Sequence, residues 1–215
     1  MLHVSARPRA YRAFPFPKAT PGVSALALDV ASLVGVLALI VAGLLVRLSS
    51  VIISDMDEGT YIYAGKLLAQ GQIPYRDFLL THPPVVVLFT GAIVWLFGPD
   101  TMVVRYAYMA VIIGAMVPLY MLTRHLSRSH LAGLLSVAIY TAGMVLIANM
   151  GRTVRLEPMM NAFLIGAVAC YVLRPGSPRI RFLLGMLIAG AILVKLVAII
   201  FSVCLLMECG AGRIA

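Results

Sequence analysis

Charged side chains are scarce in this sequence. Asp, Glu, Lys and Arg together make up 12% of its 215 residues, whereas 62% of the residues are hydrophobic. A soluble domain carries about a quarter charged residues, so this chain has too little polar surface to cover a globule in water. The shortage excludes an ordinary soluble domain and predicts an all-α integral membrane protein.

Cysteines are also few. Cys170 and Cys204 lie inside apolar segments, and Cys209 follows the last of these segments. The sequence has no CxxC pair and no Cys/His spacing that is typical of a zinc site. We therefore expect small buried cysteines, with no disulfide, no metal and no cofactor.

Acidic residues are the rarer of the two charged classes. The chain has 8 Asp and Glu against 17 Lys and Arg, which gives a formal net charge of +9. In a soluble protein this excess would suggest nucleic-acid binding. Here the basic residues cluster in short loops beside apolar runs, as in the cytoplasmic loops of membrane proteins. We expect membrane lipid as a partner and no nucleic acid.

Long apolar runs predict about five transmembrane helices within a membrane domain over residues 25–207. The predicted spans are 25–48, 102–122, 131–150, 157–173 and 182–207. The first run follows a basic segment, 1–24, and exceeds the apolar core of a signal peptide, which is about 7–15 residues long. It therefore predicts a retained anchor whose preceding N-terminal segment is cytoplasmic.

A shorter apolar run, 85–97, has 13 residues. As a helix it would rise about 20 Å, against a hydrocarbon core of ~30 Å. Outside the spans and their ends the chain has 14 basic residues. If this run does not cross the membrane, nine of them lie on the cytoplasmic side and five on the outer side. If the run crosses, seven lie on each side. The first division fits the positive-inside tendency better. We therefore expect one large external loop, 50–100, with interfacial helices, and Glu157 on the same face as Asp57 and Glu58.

The external loop holds most of the polar side chains, in the stretch SDMDEGTYIYAGKLLAQGQIPYRDFLLTHPP at 54–84. Asp57 precedes a predicted helix in which Tyr61, Gly65 and Leu68 share a face and Gly71 can cap the C-terminus. Asp57 can serve as the N-cap of this helix. It can also serve as a rigidly held general base, and the two roles are compatible.

Other polar residues leave similar alternatives open. His82, before two prolines and a helix start, forms with Arg76 either a phosphate site or an interfacial segment without a ligand. Glu157, between Arg155 and Pro158, is either a site residue or half of a surface Arg–Glu pair. Lys195 lies in the middle of an apolar run, where a charge is costly, so we expect an ionic partner or a functional cavity for it.

The external loop resembles that of a known enzyme class. The run D-E-G-x-Y at 57–61 is followed by I-P-Y-R-D-F at 73–78, by x-P-P at 82–84 and by L-F-G at 96–98. In this order the motifs resemble the first external loop of family 39 type membrane glycosyltransferases: protein O-mannosyltransferases, lipid A aminoarabinose transferases and lipopolysaccharide core transferases. Arg105, the basic loop 124–130, R-L-E-P at 155–158 and Lys195 extend the resemblance over roughly residues 25–205.

The resemblance implies transfer of a sugar from a polyprenyl- or dolichyl-phosphate donor to an acceptor hydroxyl of a protein or lipid at the outer face. It implies that Asp57 is the catalytic base, Glu58 its motif neighbour and Glu157 the second acidic residue. His82, where many relatives have Lys, would contact the donor phosphate with Arg76 and Arg155. Histidine is mostly neutral at pH 7, so this contact would depend on pH.

The chain departs from those relatives in length. They have many more spans, whereas this chain ends in a tail, 208–215, which we interpret as a truncation point. We therefore expect the N-terminal part of an enzyme, which needs a missing C-terminal half or a partner subunit. A small transporter or channel subunit and a catalytically inert membrane fragment are the alternatives. The expected location is a bacterial or archaeal plasma membrane.

Overall fold

The computed structural model describes Gly35, Ala38 and residues 56–144, 153–173 and 178–214, without the side chains of 206 and 208–214. These residues form helices and no strand, which confirms the predicted all-helical class. The described helices are α1 Met56–Ala69, α2 Val85–Phe97, α3 Thr101–Ser127, α4 His130–Ala142, α5 Leu156–Leu173, α6 Pro178–Val194 and α7 Ala198–Ile214. The predicted first span, 25–48, lies outside the described residues apart from two positions.

Two described helices, α3 and α5, are long and apolar enough to cross a membrane. This statement rests on their length and composition alone. The helices α2 and α4 are apolar but shorter. Membrane association is supported to this extent, and the number of spans and their orientation stay predictions. The bounds of α2 match the 13-residue helix predicted over 85–97.

Helix α1 ends as its sequence predicts. Gly71 adopts a positive φ of 87°. Its N–H donates to the carbonyl of Leu68, and the N–H of Gln72 donates to the carbonyl of Leu67. These two bonds are those of a Schellman motif, in which glycine is favoured because it adopts positive φ without strain. The predicted C-cap is confirmed.

The N-terminus of α1 differs from the prediction. The helix already includes Met56, so Asp57 lies inside the first turn and does not precede the helix. A carboxylate in the first turn still interacts favourably with the positive end of the helix dipole. The N-cap role considered for Asp57 is therefore replaced by a first-turn role.

Helices α1 and α2 pack closely because glycines line their contact. A Cβ added at Gly65 would lie 2.6 Å from Thr90 Cγ2 and 3.1 Å from the backbone nitrogen of Gly91. The Thr90 side chain is held in place, since its hydroxyl donates to the Val86 carbonyl at 2.8 Å and lies 2.9 Å from the Tyr108 hydroxyl. The predicted shared face of Tyr61, Gly65 and Leu68 is the face that packs against α2.

We expect Gly65→Ala to lower the free energy of unfolding by about 1–3 kcal/mol, because Thr90 cannot move away from the new methyl group. Thr90→Ser removes Cγ2 and keeps the hydroxyl, so it should restore part of the loss in the double variant. Thermal unfolding in detergent measures both effects.

Gly114→Ala is the matched control, since Gly114 is exposed within α3 and a Cβ there meets nothing within 4 Å. It should leave stability unchanged or raise it by about 0.5–1 kcal/mol. Equal effects at Gly65 and Gly114 would refute the close α1–α2 contact.

Helices α3 and α5 run in the same direction. Val104 and Tyr108 near the start of α3 share a buried cluster with Leu156 and Met159 at the start of α5, and Val111 and Phe163, further along the two helices, pack against the same cluster. Helices α4 and α6 return antiparallel, since Tyr120 packs on Gly133 and Phe163 on Gly190. The α1–α2 pair packs on the first turns of α3, through contacts such as Phe89 with Tyr108, and it also contacts α6.

The bundle therefore has two chemically different ends. We call the end with the ion pairs of Arg105 and Lys195 the ionic end. We call the other end, at the α3–α4 and α5–α6 connections, the basic end; its exposed described Arg and His residues are Arg124, His125, Arg128, His130, Arg179 and Arg181. From Arg105 to Arg124 helix α3 rises about 28 Å, and α5 rises about 26 Å from its first residue to its last.

The predicted span 182–207 is two helices. Helix α6 ends at Val194, Lys195–Val197 form a turn, and α7 begins at Ala198. Leu205 in α7 packs in one cluster with Leu184 and Ile188 in α6, so α7 turns back along α6. The apolar run has no Gly or Pro at 194–198 to indicate this stop. The turn puts Lys195 at the ionic end, where its ammonium group has a carboxylate partner.

Candidate functional site

The centre of the ionic end is a buried ion pair between α1 and α3. The two oxygens of Glu58 accept hydrogen bonds from Nε and Nη2 of Arg105, each at 2.7 Å. Glu58 Oε1 also accepts a bond from the backbone N–H of Val154 at 3.2 Å. The side chains are 0% and 2% exposed. Bidentate Arg–carboxylate pairs of this kind fix geometry as well as adding energy.

This pair engages Glu58, which the resemblance places in the catalytic motif beside Asp57, in a structural contact. Both of its oxygens are engaged and solvent does not reach them, so no substrate hydroxyl can approach. Its bonds join the first turn of α1 to α3 and to the segment before α5. The neighbouring Asp57 is exposed on the same turn. Asp57 is therefore an exposed residue on a fixed support.

A second ion pair, between Lys195 and Glu157, lies close to the first at the ionic end. Lys195 Nζ donates to Glu157 Oε1 at 2.6 Å, and the two side chains are 33% and 28% exposed. Glu157 is in the first turn of α5, three residues after Val154. The ionic partner expected for Lys195 is thus present. The sequence offered an Arg–Glu pair with Arg155 as one alternative for Glu157; the structure gives the direct bond to Lys195, and Arg155 interacts with Glu157 electrostatically.

Arg76 and His82, two of the predicted phosphate ligands, have separate partners, and no described contact joins them. Arg76 Nε and Nη2 donate to the two oxygens of Asp77 at 2.8 Å each, in an exposed pair. The predicted cation is thus already engaged by a carboxylate. The ring of His82 lies 6.2 Å from that of Tyr61, and the Tyr75 hydroxyl donates to the His82 carbonyl at 2.7 Å. His82 is half-buried against α1 and belongs to the packed loop.

The loop 73–78 is stabilised by Asp77. The Ile73 N–H donates to Asp77 Oδ2 at 2.8 Å, and the Asp77 N–H donates to the Ile73 carbonyl at 2.9 Å. The hydrogen bonds from Arg76 and from the Ile73 backbone hold the pKa of the Asp77 carboxyl below its usual value. The same pairing raises the pKa of Arg76.

A lowered carboxyl pKa gives stability that is complete above the unfolded-state pKa, about 3.9, and is lost as pH falls through the folded-state value. We therefore expect amide-exchange protection of Ile73 to be constant from neutral pH to about pH 5 and to decline below about pH 4. Asp77→Asn should remove this pH response. An identical response in wild type and variant would show that Asp77 does not order the loop.

The structure brings several of the predicted site residues to the ionic end. Glu58 bonds Val154, so the first turns of α1 and α5 are adjacent, and these turns carry Asp57 and Glu157. That these two carboxylates lie on the outer face of a membrane stays a prediction. Among the described residues no group of three or more His, Cys, Asp and Glu could hold a metal ion.

Arg105 is the site residue that the sequence analysis did not include among its candidates. Its signal was present, because it is the only charged residue between Thr101 and Thr123. A lone charge in an apolar helix needs a partner, as was argued for Lys195. The partner, Glu58, is 47 positions away, and nothing in the sequence pattern identifies it.

The chain was compared with protein-family models, with curated proteins and with solved structures. None of the three comparisons gives a match.

Proposed function

We propose that the chain is a membrane-embedded glycosyltransferase, or the N-terminal part of one. It would move a sugar from a polyprenyl-phosphate-linked donor to an acceptor hydroxyl at the outer membrane face. Asp57 is the catalytic base in this proposal. The observation that carries it is the position of Asp57, an exposed residue on a helix turn locked by the buried Glu58–Arg105 pair.

The reaction follows from this arrangement. Asp57 accepts the proton of the acceptor hydroxyl as its oxygen forms a bond to the anomeric carbon. The bond between the anomeric carbon and the phosphate oxygen breaks, and its electron pair leaves on the polyprenyl phosphate. Phosphate is a good leaving group, so no general acid is required. Cations near the leaving phosphate stabilise the developing charge.

Lys195 and Arg155 are the cations nearest to the second acidic residue. Lys195 is bonded to Glu157 and is a third exposed, so the pair is accessible from the ionic end. A carboxylate beside the cation holds the ammonium group in one place. We assign Glu157 and Lys195 to binding of the donor headgroup, with Arg155 close by.

The membrane location is supported by the spacing of charges. The rise of about 28 Å along α3 from Arg105 to Arg124 is close to the ~30 Å hydrocarbon core of a bilayer. Between these levels exposed side chains on α3, α4 and α6 are apolar, among them Ile113, Val117, Met121, Leu135, Ile139 and Met186. A lipid-linked donor would present its headgroup at the ionic end.

Transfer from a radiolabelled polyprenyl-phosphate sugar tests the function. The chain is reconstituted in liposomes alone and with the product of the gene downstream of its own, and transfer to water-soluble and lipid acceptors is measured. Transfer by the chain alone or by the pair supports the proposal. Absence of transfer in both, with a properly folded chain, would refute it and leave the transporter or an inert fragment.

A topology experiment tests the membrane location separately. In a background without native cysteines, Gln70→Cys at the end of α1 should react with an impermeant thiol reagent added to intact cells. His125→Cys near the end of α3 should react only after permeabilisation. Both positions are exposed. Labelling of position 125 from outside would refute an inward basic end.

A further inference from the structure

Among the residues whose side chains the structure describes, the basic end has cations and no carboxylate. Its exposed Arg and His residues are Arg124, His125, Arg128, His130, Arg179 and Arg181. The sequence has no Asp or Glu from 101 to 156 or from 158 to 207. These arginines therefore have no carboxylate partner available from α3, α4, α5 or α6 except Glu157, which lies at the other end.

The fold holds these cations at one level. Arg124 lies about 28 Å along α3 from Arg105, and the C-terminus of α5, beside α6, lies about 26 Å from Leu156. The α3–α4 turn is ordered by the bond from Ser127 Oγ to the Thr123 carbonyl and by the Ser129 cap on the Ala132 N–H. The Tyr120 hydroxyl lies 2.8 Å from His130 Nδ1. The turn is therefore a fixed support for Arg124 and Arg128.

Directly behind the cations lies a band of exposed apolar side chains. On α3 and α4 these are Val117, Met121, Leu126, Leu131 and Leu135, and on α6 they are Phe182, Leu183 and Met186. A nucleic acid or an acidic protein would cover the cations and leave this band in water. A phospholipid covers both, because its phosphate meets the arginines and its acyl chains meet the band.

We propose that the basic end is a binding site for anionic phospholipid headgroups, with phosphatidylglycerol as the simplest ligand of this chemistry. Arg124, Arg128, Arg179 and Arg181 supply the charge. The site shares only the membrane location with the function proposed above and does not depend on sugar transfer. Its occupation holds the basic end against the anionic leaflet.

Titration of phosphatidylglycerol into detergent micelles that contain the full chain tests the site, with the thermal unfolding midpoint as the readout. We expect the midpoint to rise with the lipid fraction and not to rise with phosphatidylcholine of the same acyl chains. Arg124→Gln should raise the half-saturating lipid fraction about fivefold, the factor that corresponds to one basic residue near a charged surface. The fourfold variant of the four arginines to Gln should lose the response.

Lys66→Gln is the matched control, because Lys66 is also an exposed cation in the last turn of a helix, here α1 at the other end. Its response should equal that of wild type. If the fourfold variant does not fold, the pairs Arg124/Arg128 and Arg179/Arg181 are changed separately. The proposal is overturned if these variants respond as wild type does, if phosphatidylcholine acts equally, or if a short oligonucleotide at equal charge stabilises the chain as strongly.

Discussion

Arg105→Met is expected to lower the free energy of unfolding by about 3–5 kcal/mol. The change leaves the Glu58 carboxylate buried with only the Val154 N–H as a partner, and a buried charge without its counter-ion costs that much. The exposed pair Arg76–Asp77 is the comparison, since removal of an exposed pair costs little. Thermal and denaturant unfolding of Arg105→Met and Arg76→Met in the same detergent would measure the difference.

The double variant Glu58→Leu with Arg105→Met separates the charge from the packing. It should be more stable than Arg105→Met alone, because no uncompensated charge remains. The Val154 N–H would then lack its acceptor, at a cost of about 1–3 kcal/mol. Additive effects of the two single changes would contradict a direct Glu58–Arg105 interaction.

Asp57→Asn is expected to lower the rate of sugar transfer by about 10²–10⁴, the usual contribution of a positioned general base. Asn has nearly the same shape as Asp but cannot accept the acceptor proton. Asp57 is exposed, so the variant should still fold and insert, with a loss of about 0.3–1 kcal/mol from the interaction with the helix dipole. Transfer assays in the active assembly, with donor affinity measured in parallel, distinguish loss of catalysis from loss of binding.

Asp100→Asn is the control for this change. Asp100 is an exposed N-cap of α3, whose carboxylate accepts from the Met102 N–H at 2.7 Å. Asn caps a helix as well as Asp does, so this variant should keep full activity. If Asp57→Asn also kept most of its activity, Asp57 would be a first-turn residue that only interacts with the helix dipole.

Local features of the fold could be predicted from the sequence because their causes are local. The bounds of α2 follow from two prolines before it and a glycine after it. The end of α1 follows from Gly71, and the close α1 face follows from the spacing of Tyr61, Gly65 and Leu68. Each of these signals lies within a few residues of the feature that it determines.

The site was less predictable because its contacts are distant in sequence. The pattern Asp57-Glu58 does not say which carboxylate is buried. Adjacent residues project about 100° apart on a helix, so one of them faced α3 and the other did not. Which one is buried is decided by Arg105 and Val154, on segments that the pattern around α1 cannot identify. The turn at Lys195 likewise depends on a partner 38 positions away.

The hydrogen bonds of Glu58 also set an order of events during synthesis. Its partners follow it by 47 and 96 residues. At about 5–20 residues per second, Val154 is added roughly 5–20 s after Glu58. Through that interval the carboxylate has no complete set of partners, so we expect the first turn of α1 to stay hydrated until α3 and Val154 have been made. In ribosome-bound chains that stop before Arg105, the α1 segment should therefore remain accessible to water-soluble reagents.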